Sequence, residues 1–79
     1  MNDNEKVKVL LIEKDPGYRD FVKAILVEEV HNSIFELACV DSLEKGSYVV
    51  KNENFEIVLA DVSEYDENDF QKFISFMKV

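Results

Sequence analysis

The sequence predicts an α/β domain built on a parallel sheet, and three observations carry that prediction. Apolar runs alternate with stretches of helical periodicity, in the order βαβαβα. Residues 7–12 are apolar except for Lys8, as expected of a strand buried on both faces. The chain has 79 residues, 47% of them hydrophobic, which allows one domain with one modest core.

The elements follow in order. After the first strand, Glu13-Lys14-Asp15-Pro16-Gly17 breaks the apolar run. Asp15 is suited to cap a helix, and Pro16 fits the first helical position, where its missing N–H costs nothing. Tyr18, Phe21, Val22, Ile25 and Leu26 recur at helical spacing, which predicts a helix to about Val30. A second strand is expected over residues 34–40, with Phe35, Leu37 and Cys39 on one side. Ser42 caps a second helix from Leu43 to about Lys51, weakened by Gly46, Ser47 and the Val49-Val50 pair. Residues 55–60 form a third strand ending on Asp61. Phe70, Phe73, Ile74 and Met77 then give a last helical stripe, widened by Phe76. Right-handed crossovers join the parallel strands.

Composition excludes several classes. The formal net charge is −8, from 17 Asp+Glu against 9 Lys+Arg. Three Tyr and six Phe within that apolar content argue against disorder. The acidity disfavours binding to nucleic-acid phosphates or to an anionic membrane surface. Cys39 is the only cysteine, so no intramolecular disulfide forms. It reads as a small core residue. His31 is the only histidine; it rules out a two-histidine site and reads as a favourable charge near a helix end. The Phe and Tyr residues are expected on core stripes. No apolar run is long enough to span a bilayer, and residues 1–6 form a short polar tail without a signal-peptide core. A reducing cytoplasm is the expected location. Gly17 and Gly46 stand alone, so no phosphate-cradling glycine loop is present. Seven acidic residues and no Lys or Arg lie between Asn52 and Gln71. That run reads as a solvated face, with attraction of Mg²⁺ or a basic partner as its second reading.

Open α/β sheets bind ligands beyond the carboxyl ends of their strands, where the strand order reverses. If the strand order is 2-1-3, that point lies between the first and third strands. Glu13, Lys14 and Asp15 then face Asp61 across it. Oxygen ligands of this kind suit Mg²⁺. Taken alone, the same acids read first as local structure: Asp15 as a cap, Asp61 as a strand end before a polar loop.

Lys8-Val9-Leu10-Leu11-Ile12-Glu13-Lys14-Asp15-Pro16, followed by the helix with Arg19, resembles the opening of a response-regulator receiver domain. Phe55-Glu56-Ile57-Val58-Leu59-Ala60-Asp61-Val62-Ser63 resembles that family's third strand, which ends on the phosphoacceptor aspartate. The order and spacing of the two segments carry most of the resemblance. It covers residues 1–79 as a single, partial receiver domain. It implies a flavodoxin-like three-layer fold of which the chain holds the first three βα units and lacks the last two. The family's switch Ser/Thr and its fifth-strand Lys have no counterpart within these residues.

The implied function is two-component phosphorelay signalling. Asp61 would accept a phosphoryl group from a histidine kinase or other phosphodonor and signal by conformational change, as a regulatory domain and not as a metabolic enzyme. Glu13, Asp61 and the backbone carbonyl of Ser63 would hold Mg²⁺. Lys14 stands where the family has its second acid, Tyr65 where it usually has proline, and Asp69 where it usually has glycine. An ammonium beside Asp61 would keep it ionised and oppose a divalent cation. Lys14 therefore either replaces the metal with an internal charge, or swings outward while Asp15 supplies the missing oxygen. The competing reading is a degenerate receiver that acts as a phosphorylation-independent interaction or dimerisation module. A small α/β enzyme or metal-binding domain unrelated to receivers is the third. Because three parallel strands leave the sheet unfinished, either the chain is part of something longer or a second copy completes it. A homodimer through the third-strand edge or the last helix is the expectation.

Overall fold

β1 (Val7–Ile12) is the central strand of an all-parallel, three-stranded open sheet, flanked by β2 (Phe35–Val40) and β3 (Ile57–Ala60). The computed structural model describes residues 6–29 and 34–77. The remaining elements are α1 (Pro16–Lys23), a π-helical continuation over Ala24–Glu29, α2 (Leu43–Asn52), a 3-10 turn over Val62–Glu64, and α3 (Glu67–Phe76). The expected α/β class and the order 2-1-3 are both present, an arrangement compatible with half of a flavodoxin-like fold. No helix among the described residues is long and apolar enough to cross a membrane. Residues 1–5, His31 and Lys78, and the expected helix end at Val30, lie outside the described residues.

The helices start where their caps dictate. The Asp15 carboxylate accepts from the Gly17 N–H at 2.9 Å, with Pro16 in the first turn. Ser42 Oγ accepts from the Lys45 N–H at 3.1 Å, and Asp66 caps α3 through the Asn68 N–H at 3.0 Å. The sequence reading did not name that third cap. β3 is shorter than the expected 55–60. The Glu56 N–H still bonds the Lys8 carbonyl at 2.9 Å, but the Glu56 carboxylate turns back onto the Lys8 backbone N–H.

Register assigns every strand residue to one of two faces. Leu10 lies between Ala38 and Val58, and Ile12 between Val40 and Ala60. This face is covered by both α2 and α3. Phe73 and Val50 close over Leu10 and Ile12 to make the core, with Phe70, Phe76 and Met77 packed around it. Phe70, Phe73, Phe76 and Met77 of the last helix are thus spent inside the domain, whereas Ile74 stays exposed.

The opposite face pairs Val9 with Leu37 and Ile57, and Leu11 with Cys39 and Leu59. It corrects two expectations. Cys39 is exposed, not a core residue, and Tyr18, Phe21 and Tyr48 are exposed rather than sitting on core stripes. For α1, the reason is a shortage of partner surface. Arg19, Val22 and Leu26 turn partly inward, while Tyr18, Phe21 and Ile25 stay exposed, as do Ile57 and Leu59. Tyr48 lies on the outer side of α2, at the rim of a groove between α2 and α3. No buried polar or charged residue interrupts the core among the described residues.

Gly46 shows why α2 tolerates a weak helix former. A methyl group there would sit 2.8 Å from Ile12 Cδ1 and 3.3 Å from Phe73 Cε1. Ile12 and Phe73 are each 1% exposed, so neither has room to yield. Removing a helix-interior glycine is worth about 0.5–1 kcal/mol, but overpacking a dense core costs about 1–3 kcal/mol. Gly46→Ala should therefore lower stability by about 1 kcal/mol, measured as a lower urea midpoint. A raised midpoint would show that helix propensity outweighs the close approach.

Candidate functional site

Parallel register builds the site. Ile12 and Ala60 are direct partners, so Glu13 and Asp61 emerge side by side at the carboxyl end of the sheet, about one strand spacing apart (roughly 4.8 Å). A cleft of about 620 Å³ opens there. Its polar wall is Glu13, Lys14, Asp15, Asp61 and Glu64; Leu11, Tyr18, Val22 and Leu59 form its apolar side. The expected Glu13, Lys14, Asp15 and Asp61 thus meet in one place. A larger groove of about 1110 Å³ lies between α2 and α3 and reaches Lys14 and Glu64 at its near end. It holds neither Glu13 nor Asp61, so the smaller cleft is the candidate site.

Each carboxylate has a local partner. One Glu13 oxygen accepts from the Asp15 N–H at 3.1 Å. Asp15 is occupied as the α1 cap. Asp61 Oδ1 accepts from Ser63 Oγ at 2.6 Å and from the Ser63 N–H at 3.1 Å, while the Asp61 carbonyl accepts from the Glu64 N–H at 3.1 Å. These bonds wind residues 61–64 into a tight turn. The Ser63 hydroxyl, and then its backbone N–H, hold the Asp61 carboxyl below the usual carboxylate range. Asp61 is exposed and ionised at neutral pH. Among the described residues, no protein donor bonds its Oδ2.

Lys14 takes the outward course. Its ammonium meets Glu64 Oε2 at 2.8 Å, with the two side chains 70% and 40% exposed. It is paired with Glu64 and not with Asp61. The Glu64 hydrogen bond pushes the lysine pKa up, so the charge is permanent at neutral pH. Lys14 lies in the bend after β1, so its Glu64 partner and not strand alternation sets its direction. Lys14 and Glu64 line both cavities, so their ion pair sits where the two adjoin. Glu64 is the site residue that sequence reasoning passed over. It was counted within the acidic run, and only its place three residues after Asp61 marked it.

The implied Mg²⁺ set was Glu13, Asp15, Asp61 and the Ser63 carbonyl. Mg²⁺ demands near-octahedral oxygen geometry. Asp15 is turned into its own helix, one Asp61 oxygen is held by Ser63, and a lysine charge enters the same cleft. Among the described residues, no three His, Cys, Asp or Glu side chains converge as a metal-holding group. As these side chains stand, the donor set does not fit the ion. Of the two substituted loop positions, Tyr65 packs against the core and desolvation raises its hydroxyl pKa, while Asp69 is exposed in the first turn of α3.

The Asp61–Ser63 contact gives a pH-dependent prediction. A carboxyl depressed in the folded state stabilises the fold above its unfolded pKa, and that stability is lost as pH falls through the folded value. Ser63→Ala removes the hydroxyl and keeps the N–H. Asp61 should then titrate closer to its ordinary 3.8, followed by carboxyl ¹³C chemical shift. An unchanged titration would mean that the hydroxyl does not hold Oδ1. Compared with known proteins, the chain matches no family model, no curated protein and no solved structure.

Proposed function

We propose that this chain is a receiver-type signalling module in which Asp61 accepts a phosphoryl group from a histidine kinase or a small phosphodonor. The observation that carries the reading is the state of Asp61. It is an exposed, ionised carboxylate at the end of β3, beside Glu13 in a cleft at the sheet's switch point, with Oδ2 free of protein donors. Ser63 holds Oδ1, so Oδ2 is the attacking atom. It forms a bond to the donor's phosphorus as the bond from phosphorus to the leaving atom breaks, and the departing group keeps that electron pair. The product is an aspartyl phosphate, and the resemblance of residues 8–16 and 55–63 to receiver segments supports this reading.

The second reading, an interaction module that needs no phosphorylation, is favoured by Lys14 at the family's second acid position. It is also favoured by the exposed apolar strip of Tyr18, Phe21, Ile25, Ile57 and Leu59. Under either reading, a second copy meets this one along the open β3 edge or through the last helix, where Ile74 is exposed.

Intact mass spectrometry after incubation with acetyl phosphate tests the first reading. The parent should gain one phosphoryl group and Asp61→Asn none. A folded parent that gains nothing from acetyl phosphate or from phosphoramidate would transfer the case to the interaction module. Light scattering on the same samples should read twice the chain mass if a second copy pairs, and the chain mass if it does not.

A further inference from the structure

The cleft carries a cation of its own. Lys14 projects from the β1–α1 loop and is tied to Glu64, a residue of the same tight turn that holds Asp61. All three side chains line the one cleft. The Lys14 side chain is 70% exposed, so its four-carbon stem has room to rotate, and the pair it makes with Glu64 is of the solvent-screened kind that is easily exchanged. Glu64 offers one negative charge. A phosphoryl group on Asp61 offers nearly two, with three strong acceptor oxygens.

Resting on the reading of Asp61 as the acceptor, we propose that Lys14 supplies the positive charge that receiver-type phosphotransfer otherwise takes from a divalent metal, exchanging Glu64 for the phosphoryl group as the reaction proceeds. The covalent step is the one written above and needs no further reactant. Lys14 donates its N–H bonds to the phosphoryl oxygens and remains protonated throughout. The exchange has a structural consequence: it frees Glu64, which lines both the cleft and the α2–α3 groove. Phosphorylation would then be felt in both cavities. That gives the domain a signal that uses residues of its first and third βα units alone.

The test compares the parent with Lys14→Gln, Lys14→Arg, Lys14→Asp and Glu64→Gln, each confirmed folded by circular dichroism. Acetyl phosphate or phosphoramidate is the donor, in EDTA or in Mg²⁺, and the rate of phosphoryl gain is read by intact mass. The parent should react at rates within about twofold in EDTA and in Mg²⁺. Lys14→Gln should lose at least tenfold in EDTA, Lys14→Arg should restore most of that, and Glu64→Gln, which frees the ammonium, should match or exceed the parent. Lys14→Asp should become dependent on Mg²⁺, a change that a merely structural lysine would not produce. A parent that reacts only in Mg²⁺, or a Lys14→Gln variant as fast as the parent in EDTA, overturns the proposal while Asp61 remains the acceptor. A folded parent that reacts in neither condition overturns the acceptor reading and this inference with it.

Discussion

The burial of β1 on both faces is the constraint from which the rest of the structure follows. Val9, Leu10, Leu11 and Ile12 are all buried, and a strand apolar on successive residues is stable only between two covered faces. One face is closed by Phe73 and Val50 from α3 and α2; the other is only partly covered, with the π-helical continuation of α1 against β2. With β1 fixed in the centre, parallel pairing leaves no freedom in where the loops emerge. Ile12 aligns with Ala60, so Glu13 and Asp61 must stand together at the carboxyl end. The site is a by-product of register before it is anything chemical.

Electrostatics at that end are local rather than convergent. Short hydrogen bonds to backbone N–H groups take up oxygens of Glu13, Asp15 and Asp61, each within two residues of its own position. This is what carboxylates do at helix starts and tight turns when nothing stronger competes. Among the described residues, the one ammonium lining the cleft is held at its edge by Glu64. A −8 chain that keeps a lysine amid these acids has a pocket with a built-in countercharge.

What the sequence made legible was whatever is decided by near neighbours. The caps at Asp15 and Ser42 could be read because one side chain and the next few residues determine them. The order of elements along the chain followed from apolar runs separated by helical stripes. Exposure of Tyr18, Phe21 and Cys39 could not be read in the same way. Periodicity says which residues share a stripe, but not whether another element exists to cover it. Gly46 looked like a flaw in α2 until Ile12 and Phe73 were seen to fill the space a side chain would need. The direction of Lys14 was open because its partner, Glu64, lies in the turn after β3, a distant part of the chain. Glu64 was hidden among seven similar acids, and no spacing within one segment could single it out.

The most direct test of the account is whether the β1–α1 loop and the turn after β3 respond as one unit. Backbone ¹H–¹⁵N NMR spectra recorded before and after addition of acetyl phosphate would show this. Shifts concentrated in residues 13–17 and 61–65, appearing together, are the predicted result. Shifts confined to the α2–α3 groove, or a folded spectrum unchanged at both loops, would contradict it.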